Sequence, residues 1–237
     1  MKTLLTILLF SSIIYSQEYP SWYLFKPDNN LNYYCGFVET EFYKDSSFFS
    51  AKRNAARNAA INKSVFYKLN DTYLTVGGIK TWMDTEKEVV FDTSLIQNYF
   101  DSFFIVDSFQ TNSYTFVIIS ETKHSINRFL INTFSIPKPD WVENVPKTDS
   151  FRYSVGVSEP YFSPIESWEN SEENARIEFA KESKIKSRQI QKKLDLEYSD
   201  VVNEITEATI LNVQVVARWI DSKTKLYFTL IRIPFKS

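Results

Sequence analysis

The sequence predicts an α+β fold built from two tandem β-α-α-β-β units, each with helices packed on a three-stranded, mostly antiparallel sheet. Three observations predict it: a motif that returns about 119 residues later, apolar stripes at helical spacing, and paired alternating stretches separated by polar turns. The aromatic share is 16%, while the chain has only four Gly and two Met. The core must therefore be filled mainly by Phe, Tyr, Ile, Val and Leu, and this mix of residues favours strands. We expect domains at residues 17–120 and 139–237, joined by a linker at 121–138.

The first sixteen residues have the order of a secretory signal peptide. Lys2 precedes an apolar run at residues 4–14, and a small residue, Ser16, ends the segment before Gln17. The run is short for a membrane span, which needs about 20 residues. We therefore predict cleavage between Ser16 and Gln17, with a retained anchor as the alternative. The expected location is the periplasm or exterior of a bacterial cell, with association to the outer membrane left open.

Cys35 is the only cysteine, so the chain cannot form an internal disulfide. It lies well beyond the predicted cleavage point, whereas a lipid-anchored protein needs cysteine at that point. No lipid anchor is expected. We interpret Cys35 as a small buried hydrophobe on a strand.

The repeated motif opens each unit. "PSWYLFKPDNNLNYYCGF" at residues 20–37 matches "PDWVENVPKTDSFRYSVGV" at 139–157, placing Trp22 on Trp141 and Gly36 on Gly156. Each motif ends in an alternating strand. The two tryptophans are expected to seal the core beside proline, the alternative being exposed rings that stack on a ligand or partner.

A long helix is expected to follow each of these strands. The first begins near Asp45 or Ser46, and the second begins near a capping pair, Asn170 and Glu173, and continues through Ile190. Matching "AARNAAINKS" with "NARIEFAKES" places Ala56 and Arg57 on Ala175 and Arg176. The alanines indicate close approach to a sheet.

Each unit is predicted to close with a short helix and a hairpin. The helices are expected at residues 93–100 and 199–209, and the hairpins at 103–120 and 210–233. The linker is predicted to contain a short helix near residues 125–131, and its prolines at 137 and 139 disfavour helix continuation.

These features together resemble the bacterial LPP-twenty lipoprotein family, whose domain also occurs in flagellar outer-ring and basal-disk proteins. The Pro-x-Trp opening, the aromatic strand ending in Gly, the A-R-x-x-A-like helix and "ARWIDSKTKLYFTLIRI" carry the resemblance. Trp219, Asp221 and Tyr227 match best. The resemblance implies an envelope-associated, non-enzymatic domain used in assemblies. Because the lipidation cysteine is missing, the family's anchoring is not carried over.

Charge and histidine content limit the chemistry. The net charge is -2, which gives no global attraction to nucleic acid. The local basic excess at residues 181–193 is interpreted as a solvated helix face. His124 is the only histidine, so a metal site with two histidines is excluded, and we expect it to be an exposed linker residue. We predict no catalytic, metal-ligating or cofactor-binding residue, and no cofactor.

Three short motifs invite a chemical interpretation. The alternating carboxylates Asp84, Glu86 and Glu88 would project from one side of a strand, so Asp84 and Glu86 leave open a hydrolase site between the domains. The acidic pair at 172–173 is interpreted as complementing the dipole of a helix first turn. The glycine pair at 77–78 is interpreted as a turn, since the spacing of a phosphate loop is absent from the sequence.

We therefore predict a secreted bacterial envelope protein with a non-catalytic structural or assembly role, which contacts an envelope partner or a second copy of itself. The alternatives are a secreted hydrolase with an inter-domain carboxylate site and a module that binds a small ligand or glycan. The repeat duplicates residues of the scaffold but no set of catalytic residues. This favours the structural or assembly role over the two alternatives.

Overall fold

The computed structural model describes residues 18–28, 30–183, 186–193 and 199–235, in a mixed arrangement of helices and small antiparallel sheets. The predicted signal peptide and its cleavage point, Ser16 and Gln17, lie outside these residues. The helices are α1 (Ser21–Leu24), α2 (Lys44–Lys63), α3 (Ser94–Ser102) and α4 (Pro164–Ser183), with 3₁₀ helices at Thr133–Ser135 and Asp140–Val142. The strands are β1 (Glu18–Pro20), β2 (Tyr34–Glu39), β3 (Ser64–Val76), β4 (Ile79–Phe91), β5 (Phe104–Gln110), β6 (Tyr114–Ser120), β7 (Leu130–Asn132), β8 (Phe151–Ser158), β9 (Lys186–Lys193), β10 (Ser199–Leu211), β11 (Gln214–Ile220) and β12 (Tyr227–Pro234).

Two three-stranded sheets have the same strand order. One is β2-β6-β5 and the other is β8-β12-β11, and each strand pair is antiparallel. Helix α2 packs on β2 and β6, and α4 packs on β8 and β12. Both predicted hairpins and the predicted helix at residues 93–100 are confirmed as β5–β6, β11–β12 and α3.

Glycine allows each helix to approach its sheet closely. A Cβ on Gly36 would overlap the backbone oxygen of Ala51, and one on Gly156 would overlap that of Ser171. Next along the helices, Ala55 and Ala175 contact the same glycines. The two helices therefore match at an offset of 120 residues. The predicted match of Ala56 and Arg57 with Ala175 and Arg176 is one residue out of register.

A fourth sheet combines strands from both halves of the chain. Its order is β4-β3-β10-β9, and β3 pairs with β10 from Ser64↔Leu211 to Val76↔Ser199. Strands β3 and β4 are joined by Gly77 and Gly78, both with positive φ, at 57° and 83°. This is the two-residue hairpin turn that glycine favours, so the turn interpretation is confirmed.

Three predicted helical segments are wrong. Residues 199–209 belong to β10, where the β-branched Val201, Val202 and Ile205 pair with β3. Helix α4 ends at Ser183 and β9 follows, so the basic run at 181–193 is not one helix face. The linker segment 125–131 contains no helix, and its end forms β7, which pairs with β1.

An aromatic core joins the two halves. Phe37 and Phe116 stack with ring centroids 4.3 Å apart, and Trp168 contacts Tyr227 edge-to-face at 4.8 Å. Tyr19 and Tyr23 contact both Phe116 and Trp168. The N-terminal segment therefore lies between the two helix-on-sheet layers.

Candidate functional site

The predicted tryptophans of the core occupy different environments. Trp22 is 3% exposed, and its Nε1 donates to Asp107 Oδ2 at 2.8 Å. Trp219 is also buried and donates from Nε1 to the backbone oxygen of Ile136 at 3.1 Å. Trp141 is half-buried in the second 3₁₀ helix. Trp22 and Trp219 therefore hold separate segments onto the core.

Asp221 and Tyr227 frame the closing hairpin. Asp221 accepts from the backbone N–H of Lys223 at 2.9 Å and from Thr224 Oγ1 at 2.8 Å, and these bonds lower the pKa of its carboxyl. Tyr227 is buried beside Trp168. Both residues stabilise the hairpin and its packing.

Cys35 lies on β2 opposite Ile118, and Val155 occupies the equivalent position opposite Leu230. Burial raises the pKa of its thiol to about 11. The thiol is therefore protonated near neutral pH. The side chain is half-buried rather than fully buried as predicted.

Glu172, Arg176 and Arg218 form a buried ionic cluster that the sequence interpretation missed. Arg218 donates from Nε and Nη2 to Glu172 Oε1 at 3.1 and 2.5 Å. Arg176 Nη2 lies 3.4 Å from Glu172 Oε2 and donates to Asn62 Oδ1 at 2.7 Å. All three charged side chains are less than 10% exposed. The cluster ties α4 to β11 and to α2.

The cluster also reaches the N-terminal segment. Arg218 Nη1 donates to the backbone oxygen of Tyr23, and the guanidinium lies 4.2 Å from the Tyr23 ring centroid. Glu172 lies eight residues into α4, because the helix begins at Pro164. The predicted helix start at Asn170 and the dipole interpretation of Glu172 and Glu173 are therefore wrong.

A sequence signal for this cluster existed. Arg218 interrupts an apolar strand, and Glu172 and Arg176 have the i, i+4 spacing of a helical ion pair. A charge inside a buried strand requires a partner, since an unpaired buried charge is costly.

A polar cleft of about 320 Å³ lies between α2 and α4. Glu166, Glu169 and Glu173 contribute carboxylates, and Tyr67 and Phe91 contribute aromatic rings. Burial raises the pKa of Glu169, which accepts from Asn54 Nδ2 at 3.3 Å. Arg176 also lines the cleft. Among the described residues its Nε–H has no acceptor.

The remaining predicted chemical residues do not enter this cleft. His124 is half-buried rather than exposed, with Nε2 2.8 Å from the Tyr33 hydroxyl. Asp84 and Glu86 lie on the exposed strand β4, where Glu86 accepts from Asn70 Nδ2 at 3.2 Å. Asp84 and Glu86 therefore do not line the cleft between α2 and α4, and the hydrolase alternative stays a prediction.

Arg57 and Arg176 differ sharply in environment. Arg57 is exposed on α2 and lies 5.8 Å from the Phe91 ring centroid, whereas Arg176 is buried in the ionic cluster. Ala56 and Ala175 are both fully buried. The two arginines therefore do not perform equivalent roles.

Strand β4 is an exposed edge of the four-stranded sheet. Ile79, Trp82 and Met83 are 72%, 57% and 56% exposed. The pairing with β3 shifts register beside Met83, so a bulge separates these residues from a regular segment at 84–91. In that segment Asp84, Glu86 and Glu88 oppose Thr72, Asn70 and Lys68, which places all three carboxylates on one face.

Within the described part of the chain, no helix has the length and apolar character needed to cross a membrane, and no group of three or more His, Cys, Asp or Glu side chains is arranged to hold a metal ion. No family model, curated protein or solved structure matches the chain. The candidate surfaces are therefore judged on their geometry and chemistry.

Proposed function

We propose that this protein is a secreted component of the bacterial envelope that acts by contact with another protein rather than by catalysis. The contact is made at β4, which receives an extended segment of the partner as an additional strand. The single observation that carries this proposal is the row formed by Asp84, Glu86 and Glu88 on one face of an exposed edge strand. The resemblance to the LPP-twenty family supports the same role.

An edge strand offers unpaired backbone N–H and C=O groups to an incoming strand. Alternate residues of β4 offer them in the regular segment at 84–91, since the other residues bond to β3. The backbone supplies affinity in this mode of recognition, and the side chains beside it supply specificity.

The charge row selects the partner. Residues directly opposite each other in an antiparallel pair project from the same face. A second copy of β4 added edge to edge would bring acidic residues of this row near acidic residues of the other copy, and such pairs destabilise a sheet. A partner strand with basic residues at alternating positions would instead place cations beside Asp84, Glu86 and Glu88. We therefore assign β4 to an envelope partner with such a strand, and not to self-association.

Photocrosslinking in cells tests the proposal. A photoreactive residue at Met83 is expected to capture a specific envelope protein, and Glu86→Lys is expected to reduce that capture by about tenfold, because it places like charges opposite each other. Glu178→Lys makes the same charge change at an exposed position on α4 and should leave capture unchanged. Capture of a second copy of this chain, or equal capture by both variants, would contradict the assignment.

A further inference from the structure

Two loops present an almost free phenylalanine at the same position before a long helix. Phe42 is 93% exposed and lies two residues before α2, while Phe162 is 105% exposed and lies two residues before α4. A neighbouring tyrosine accompanies each, Tyr43 at 73% and Tyr161 at 51% exposure. We call residues 41–43 and 161–163 the aromatic loops.

The same hydrogen bond holds both loops. The buried Ser47 hydroxyl accepts from the backbone N–H of Glu41 at 2.6 Å, and the buried Ser167 hydroxyl accepts from that of Tyr161 at 2.8 Å. Each serine lies in the first turn of its helix. The backbone of each loop is therefore tied to the first turn of its helix, and the exposed rings project from that backbone.

The aromatic loops lie at the same end of the molecule. Asn54 of α2 donates to Glu169 of α4 at 3.3 Å, and Arg176 of α4 donates to Asn62 of α2 at 2.7 Å. Between these contacts both helices advance toward their C-termini, so they run parallel. With a rise of about 1.5 Å per residue, α2 begins about 15 Å before the first contact and α4 about 8 Å before it. Both aromatic loops therefore lie at the N-terminal ends of this parallel pair of helices.

Acidic residues outnumber basic ones beside both aromatic loops in the sequence, with Lys44 the one basic neighbour. Glu39, Glu41 and Asp45 flank the first loop, and Glu159 and Glu166 flank the second, all of them exposed. Such a surface is repelled by anionic lipids. Its negative charge is complementary to the positive ammonium groups that lie outermost on zwitterionic lipid headgroups.

We propose that the aromatic loops dock this end of the protein on a zwitterionic lipid bilayer, with Phe42 and Phe162 inserted among the headgroups. Aromatic side chains are favoured at the membrane interface. The Phe42 ring contacts the neighbouring Tyr43 ring edge-to-face at 5.2 Å and is otherwise exposed. An exposed ring needs no matching pocket in a fluid bilayer, whereas a protein partner would need one for each loop. This surface is separate from the β4 edge.

Vesicle flotation tests the docking, using the protein without residues 1–16 because their apolar run would bind lipid by itself. The protein is expected to float with vesicles of phosphatidylcholine and phosphatidylethanolamine, and less when phosphatidylglycerol is included. Phe42→Ser and Phe162→Ser should each weaken binding by about tenfold or more, since each removes a ring that would be buried among the lipid headgroups. Phe129→Ser removes a 63% exposed ring in another segment and should have no effect.

Three results would overturn the proposal. The first is that the protein fails to float with neutral vesicles. The second is that the double variant Phe42→Ser/Phe162→Ser floats as well as the unmodified protein. The third is that sedimentation without lipid shows self-association that the double variant loses, which would assign the rings to a second copy. Circular dichroism confirms that each variant is folded, as expected for substitutions at exposed positions.

Discussion

Glu172 binds the two arginines that link α4 and β11 to the first half of the chain. Its carboxylate balances Arg218 and Arg176 where little water is available to solvate a charge. The desolvation penalty of such a cluster offsets much of its Coulomb attraction, but removal of one member leaves a buried charge without its partner. The cluster therefore determines which arrangement of α4, β11 and α1 is stable.

Replacement of Glu172 or Arg218 alone by Met is expected to lower the free energy of unfolding by about 3–5 kcal/mol. The double replacement should cost less than the sum, because only Arg176, which keeps its hydrogen bond to Asn62, is then left without the carboxylate. Urea denaturation of the single and double variants measures this. The exposed pair Lys138 and Glu143 provides the control, with an expected cost of at most about 1 kcal/mol. Single variants at 172 or 218 as stable as that control would show that the cluster is not a structural junction.

At the scale of elements, the sequence predicted the closing hairpins and the short helix α3, but it failed where tertiary pairing decided the structure. Residues 199–209 contain polar spacing that suits a helix, yet pairing with β3 along thirteen residues makes them a strand. The capping pattern of Asn170 and Glu173 predicts a helix start that lies inside α4. The helix begins at Pro164, a residue suited to a first helical position.

Some of the chemical features were also predictable from the sequence, and others were not. The alternation of Asp84, Glu86 and Glu88 was visible in the sequence, and their shared face is confirmed by the register with β3. The bonds from the ionic cluster to Asn62 and Tyr23, and the shared end at which the aromatic loops lie, depend on tertiary packing, which no local pattern specifies. The division into two domains and the family resemblance remain predictions.

The close approach of α2 and α4 to their sheets at two glycines gives a second stability prediction. Gly36→Ala and Gly156→Ala are each expected to lower the free energy of unfolding by about 1–3 kcal/mol, because the new Cβ would displace the backbone of α2 or α4. Gly77→Ala is the comparison, since that site is open and only its positive φ, 57°, opposes a side chain. Amide NMR shifts should change along α2 for Gly36→Ala but only around the turn for Gly77→Ala. Unchanged α2 shifts in Gly36→Ala would contradict the close packing.

At the scale of the whole molecule, one framework presents two distinct surfaces. The aromatic core and the shared four-stranded sheet join the halves, and β4 lies at an edge of that sheet. The parallel packing of α2 and α4 brings the aromatic loops to one end. A bilayer contact at that end and a strand contact at β4 would hold the protein between a membrane and its partner.

Hydrogen–deuterium exchange with the partner captured at Met83 tests strand addition most directly. An added strand would hydrogen-bond the outward-facing amides of β4, so exchange within residues 84–91 should slow by about tenfold or more when the partner binds. The Glu86→Lys variant should show less protection at the same partner concentration. Unchanged exchange at residues 84–91, with protection at another segment instead, would contradict the assignment of β4 as the contact surface.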